Sequence, residues 1–252
     1  MIPLREQAYI RDRFEQELAG RVKIDYFTQK ASAIYVPGRE ECAYCEDTGQ
    51  MLGELAALSD KLSLTVRDLS AAPDEAKKLG VDKVPGIVLR GPANRPLRFF
   101  GIPGGNEFPN FIEAMIDASK TKAPVSADAA KHLKKLKDKV SVVVYVTPAC
   151  SYCPGVVRAA YRLALASAHV DASAVEINEF PRLAQQLGVR AVPYTVINDR
   201  GAVTGAIEEA ALAEQLAKAA AGAAGPATTA GETSAMAPPT EGPPASGLIV
   251  PR

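Results

Sequence analysis

The chain repeats itself at a fixed distance, and this constrains its fold more than any other feature. A shift of 108 residues carries Cys42 onto Cys150 and Cys45 onto Cys153. The same shift carries Tyr44 onto Tyr152, Asp68 onto Glu176, Pro73 onto Pro181, Gly80 onto Gly188 and Pro85 onto Pro193. Leu79-Gly80-Val81-Asp82-Lys83-Val84-Pro85 lies over Leu187-Gly188-Val189-Arg190-Ala191-Val192-Pro193, and no gap is needed from Cys42 to Arg90. A duplicated domain explains this pattern, and 252 residues leave room for two domains of ordinary size.

Each copy alternates strands and helices. In the second, the β-branched apolar run 141–147 predicts a buried strand, and 155–167 carries apolar residues at helical spacing. A strand at 174–177 follows, then a helix at 181–187 with Pro at its start and Gly188 just past its end. Pro193 opens a further strand, a turn at 198–201 leads to its hairpin partner at 202–206, and 208–219 is a closing helix. The strand–helix–strand opening implies parallel pairing and the hairpin an antiparallel edge, so each copy is an α/β unit with a mixed sheet and flanking helices. The first copy follows the same plan behind a leading helix at 4–18. Before Cys42, however, it offers two strand-like segments, 22–27 and 33–36, for one central place. The expected division is residues 1–120, 121–219 and a tail, 220–252. That tail is Ala, Gly, Pro, Thr and Ser with almost no charge, which predicts disorder.

Composition removes several function classes. With 29 basic and 29 acidic residues the formal net charge is zero, so the chain is not expected to bind nucleic acid. No apolar run is long enough to suggest a membrane span, and the start, Met1-Ile2-Pro3-Leu4-Arg5-Glu6, lacks the apolar core of a signal peptide, so the expected location is the cytoplasm. The four cysteines fall in two pairs, Cys42-Ala43-Tyr44-Cys45 and Cys150-Ser151-Tyr152-Cys153. Two such pairs can hold zinc, but 104 residues separate Cys45 from Cys150, far more than a zinc ribbon spans. Redox chemistry without a bound metal is the reading.

The spacing assigns roles. Each pair falls between a strand and a helix, where unpaired N–H groups and the helix dipole favour a thiolate. Cys42 and Cys150 are therefore the expected attacking thiols. Cys45 and Cys153, three residues on, are the resolving ones, and the redox groups are the Cys42–Cys45 and Cys150–Cys153 disulfides. Pro85 and Pro193 each lie 43 residues after the first Cys of a pair. In cis they would turn the backbone of Val84 and Val192 toward the sulfurs to bind a substrate strand. Tyr44 and Tyr152 are expected at a partly exposed rim. Asp68 and Glu176 are candidate proton acceptors for the resolving thiols, against a reading as exposed strand-end carboxylates.

Each half resembles the thioredoxin fold, with its Cys-x-x-Cys and a proline opening the third strand, and the Tyr before the second Cys resembles glutaredoxin. The tandem arrangement is similar to the protein disulfide oxidoreductases, most closely over Phe99-Phe100-Gly101-Ile102-Pro103-Gly104-Gly105-Asn106-Glu107-Phe108 and Val146 to Pro154. This resemblance implies two tandem thioredoxin-like folds, two redox-active cysteine pairs, protein disulfides as substrates and a thioredoxin-reductase-like flavoprotein as electron donor. It departs from the pattern where glutaredoxins carry Pro after the first Cys, since Ala43 and Ser151 stand there. It departs again where thioredoxins bury an acid beneath the disulfide, since Val36 and Val144 are apolar. The competing functional readings are an electron-relay module dedicated to a peroxidase or flavoprotein reductase, and a non-catalytic binding or metal-storage protein. His132 and His169 read as surface residues, 131–139 as a solvated helix face, and Gly104-Gly105 either as a glutathione-contact loop or as a plain loop before a helix.

Overall fold

Strand β1 (Val22–Thr28) takes the central place in the first repeat. Ile24 and Tyr26 enter one apolar layer and Phe27 the other, so the strand is covered on both faces. It pairs parallel with β2 (Leu62–Asp68) and antiparallel with β3 (Gly86–Arg90). The rival segment 33–36 lies outside the described residues: the computed structural model describes residues 2–29, 41–222 and 228–229. In the second repeat β5 (Val140–Val146) holds the same place. Val22 pairs with Leu62 and Val140 with Val170, and Leu62 and Val170 are themselves 108 apart. Val22 and Val140 are 118 apart, so the first repeat carries ten extra residues between its central strand and Cys42.

The other elements follow in parallel. The first repeat has α1 (Leu4–Glu17), α2 (Cys45–Ala56), α3 (Pro73–Leu79), β4 (Leu97–Phe100) and α4 (Glu107–Ala118). The second has α5 (Ala127–Leu133), α6 (Cys153–Ala166), β6 (Val170–Glu176), a 3-10 turn (Ile177–Glu179), α7 (Pro181–Leu187), β7 (Tyr194–Ile197), β8 (Gly201–Thr204) and α8 (Glu209–Ala220). Pro73 and Pro181 open their helices, and Gly80 and Gly188 end them. β6 begins at Val170, four residues before the expected strand, because a central strand is fixed by neighbours on both sides rather than by its own Ala and Ser residues. Conversely, β8 stops at Thr204, short of the expected 206.

Both repeats share one sheet, in the order β2-β1-β3-β4-β6-β5-β7-β8. A two-residue strand, β9 (Thr228–Thr229), lies beyond β8, and the rest of the expected tail is outside the described residues. The helices that follow the cysteine pairs lie on one face with α1, α4, α5 and α8, over Ile24, Tyr26, Leu97, Phe99, Val142 and Val144. Helices α3 and α7 cover the other face, over Phe27, Val88, Phe100, Tyr145 and Val175. This is a pair of thioredoxin-like folds, joined where β4 pairs parallel with β6, Phe99 facing Ala174 and Phe100 facing Val175.

Polar groups reinforce the seam. The Tyr161 hydroxyl donates to the Arg98 carbonyl at 2.6 Å, and the Arg98 side chain reaches the Leu79 carbonyl and Asp171. Glu113 of α4 accepts from Arg13 of α1 and Arg158 of α6, both at 2.6 Å. Asp117 accepts from Arg162 and Lys120.

Candidate active site

Each cysteine pair is a disulfide with Cα atoms 5.5 Å apart. The helices α2 and α6 begin at the second cysteine, not the first. Cys42 and Cys150 therefore stand just beyond a helix N-terminus, in line with its dipole and unpaired N–H groups. At the second site the Cys153 N–H donates to the Cys150 Sγ at 3.1 Å, a contact that favours negative charge on that sulfur. Burial separates the partners: Cys42 and Cys150 are half-buried, whereas Cys45 and Cys153 are 5% and 0% exposed. A substrate can thus reach the first thiol of each pair and not the second.

The prolines arrive from across the sheet. Because β3 runs antiparallel to β1, its start lies at the end of β1 that leads to the first disulfide, and β7 stands likewise beside β5. Val84–Pro85 and Val192–Pro193 are both cis. Pro85 and Pro193 are buried while Val84 and Val192 are half-buried, and the Val192 carbonyl lies 3.7 Å from the Cys150 Sγ. Tyr44 and Tyr152 are exposed next to the sulfurs, at 39% and 66%. The positions inferred from the sequence thus fall at the C-terminal ends of β1 and β5, one group in each repeat.

The carboxylates are placed otherwise. Asp68 accepts from the Ser70 and Ala71 N–H groups, and Glu176 from those of Asn178 and Glu179, so each caps the turn after its strand. The exposed reading is corrected for Glu176, which is 3% exposed because β6, unlike its equivalent β2, is flanked on both sides. Val36, the apolar position expected in the first repeat, lies outside the described residues. By register Tyr26 is the counterpart of Val144, and its hydroxyl donates to the Cys45 carbonyl at 2.5 Å. His132 and His169 are half-buried.

Glu107 was not legible from the sequence. It opens α4, is 1% exposed and keeps one hydrogen bond, from the Asn110 amide at 2.9 Å, while its Oε1 is buried without a partner. Burial pushes its carboxyl up to about 7. The segment before it abuts the second site: the Asn106 N–H donates to the Pro148 carbonyl at 2.9 Å. A Cβ on Gly105 would stand 2.4 Å from that oxygen, and Gly105 has φ 57°. Gly105 is therefore a close approach between the first repeat and the loop that carries Cys150, while a Cβ on Gly104 would meet nothing within 4 Å. Burial, with Glu107 nearby, also raises the hydroxyl of Tyr161, two turns along α6 from Cys153. A carboxylate in the first turn of a helix is too common a sequence feature to have singled this one out.

Among the described residues, no group of three or more His, Cys, Asp or Glu is arranged to hold a metal ion, and no helix is long and apolar enough to cross a membrane.

Residues 139–218 match the thioredoxin domain family. Over its first and second repeats together the chain is similar to a protein disulfide oxidoreductase of Aeropyrum pernix, with a TM-score of 0.77 and 25% identity over 92% of this chain and 97% of that one. It is similar to a structure of the alkyl hydroperoxide reductase protein AhpF of Enterococcus faecalis, with a TM-score of 0.74 and 25% identity over 85% of this chain and 98% of that one. Among curated proteins, the corresponding alkyl hydroperoxide reductase protein of Pseudomonas putida is 26% identical over 164 residues, 65% of this chain and 29% of that protein. An NADH dehydrogenase of Bacillus subtilis is 24% identical over 154 residues, 61% and 28% respectively. The chain thus spans less than a third of the curated relatives it matches.

Proposed function

We infer that the chain, a thioredoxin-fold thiol–disulfide oxidoreductase with two dithiol sites, reduces protein disulfides in the cytoplasm and draws its electrons from a flavoprotein of the thioredoxin-reductase class. The observation that carries this reading is the arrangement of Cys150: a half-buried sulfur at a helix start, beside the backbone of an X–cis-Pro, with a wholly buried partner sulfur one turn on.

The exchange at the second site runs in two displacements. The Cys150 thiolate attacks one sulfur of the substrate disulfide, forms a mixed disulfide and expels the other substrate sulfur as a thiolate, which takes a proton from water. Cys153, once deprotonated, attacks the Cys150 Sγ, closes the Cys150–Cys153 disulfide and expels the second substrate thiolate. Two electrons pass to the substrate, and the flavoprotein returns them. Cys153 has no access to water for its proton. Glu107 is a buried carboxyl with one unpaired oxygen, and it ionises near neutrality in the first turn of α4. The first site runs the same steps with Cys42 and Cys45. Val84 and Val192 offer backbone groups to an extended substrate segment, and Tyr44 and Tyr152 form the rim it crosses.

The relatives favour one second reading, a relay that serves a single peroxide-reducing partner. Reduction of insulin disulfides, by the parent protein and by variants with either pair changed to serine, separates the two. Turnover of insulin by either remaining pair supports broad protein-disulfide reduction. Activity confined to one hydroperoxide-reducing partner supports the relay, and no exchange in any assay refutes both.

A further inference from the structure

The first site also rests on a carboxylate from the second repeat. Glu179 ends the 3-10 turn after β6 and is half-buried. Its Oε1 accepts the Ile102 N–H at 2.6 Å, across the seam. The residue before Ile102, Gly101, donates its own N–H to the Pro85 carbonyl at 2.8 Å. Gly101 has φ 94°, and a Cβ there would stand 2.7 Å from the Glu179 Oε1 and 2.8 Å from the Glu176 Cβ. The chain of contacts is short: Glu179 holds Ile102, Gly101 is clamped between the two glutamates and β3, and Gly101 holds the proline beside the first disulfide. The second site repeats the last link, with Gly205 donating to the Pro193 carbonyl at 2.8 Å. There, among the described residues, β8 is flanked by the two-residue β9 and not by another repeat.

Resting on the oxidoreductase reading above, we propose that Glu179 is a positioning residue for the first site, set by the second repeat, and that its ionisation tightens the Val84–Pro85 segment against a substrate strand. A carboxylate accepts a stronger N–H bond than a neutral carboxyl, and that bond is the outer anchor of the segment. Burial and the adjacent Glu176 push Glu179 up to about 7, so the anchor strengthens as pH rises through neutrality. The titratable groups that face it are Glu176, which accepts the Glu179 N–H at 3.1 Å, and Tyr26 of β1, which holds the Cys45 carbonyl. Lys83 lies over the Phe100 ring, on the opposite face of the sheet. Glu179 and Tyr26 thus bear on the two halves of the first site, the proline segment and the resolving cysteine.

The test uses the full chain with Cys150 and Cys153 changed to serine, so that only the first site reacts. Its reduced form is presented with a disulfide-linked peptide and, separately, with a small aromatic disulfide that needs no strand pairing. For the peptide, KM is expected to fall about threefold to tenfold from pH 6 to pH 8, the effect of strengthening one charge-assisted hydrogen bond. Glu179→Gln, which keeps an acceptor oxygen for Ile102 and loses the titration, should flatten that change and leave the small-disulfide rate and its pH profile as in the parent. Glu179→Ala should raise the peptide KM throughout. A Glu179→Gln profile that superimposes on the parent overturns the proposal, as does an equal effect on both disulfides. Failure of the parent to react with either disulfide would refute the oxidoreductase reading instead.

Discussion

Glu107→Gln removes one buried titration, and its effect on stability has a definite sign. In the unfolded chain the carboxyl ionises near 4.5, and in the folded protein near 7. Below 4.5 both states are protonated and the group contributes no pH dependence. Between the two values the unfolded chain releases a proton that the folded one keeps, so the stability of the parent falls as pH rises, and above 7 the loss is complete. A displacement of about 2.5 pKa units corresponds to about 3 kcal/mol. Glutamine has no such titration. The assay is chemical unfolding of the oxidised protein at pH 5 and pH 8, comparing midpoints at constant slope for parent and variant. Part of that loss has already occurred by pH 5, so the parent should lose about 2–3 kcal/mol more than Glu107→Gln between the two conditions, and other groups such as Glu179 cancel in the comparison. Equal losses in the two proteins would refute the placement of a neutral carboxyl at this position.

Cys42→Ser and Cys150→Ser should each abolish exchange at their own site, whereas Cys45→Ser and Cys153→Ser should accumulate mixed disulfides, detectable by mass under non-reducing conditions. An adduct on the variants of the first type and none on the second would reverse the assigned roles. Glu41, Glu46 and Asp47 stand exposed around the first site, and 147–155 carries no charge at the second. The Cys150 thiol should therefore ionise at a lower pH than Cys42, by about one unit or less in proteins that keep a single pair; alkylation rates against pH measure both, and an equal or lower value for Cys42 contradicts this. Gly105→Ala places a methyl group against the Pro148 carbonyl in a backbone conformation that alanine resists. It should cost about 1–3 kcal/mol in unfolding experiments and slow the second site more than the first.

The repeat, the cysteine pairs and the prolines were legible because each is a local pattern: two residues one turn apart, or a ring that fixes one torsion. The choice between 22–27 and 33–36 was not, because both are short apolar runs and only pairing with β2 and β3 selects one. By register Tyr26 is the counterpart of Val144, a match that an ungapped alignment does not give. Glu176 read as an exposed strand-end carboxylate, and its burial comes from β4 on one side and β5 on the other. Glu107 and Glu179 act across the seam between repeats, and no pattern within one repeat reports what the other brings against it.

The seam also determines how electrons can travel. From β1 to β5 the sheet takes four steps, through β3, β4 and β6. At about 4.8 Å per step, the two disulfides are held roughly 19 Å apart sideways. A twist of about 20° per step turns one mouth by roughly 80° relative to the other. Sulfur exchange demands bonding contact, so neither dithiol can recharge its twin within the molecule. The chain is a pair of ports wired in parallel rather than a conductor with an input and an output. Occupying one mouth leaves the other free, and each disulfide opens and closes on its own account.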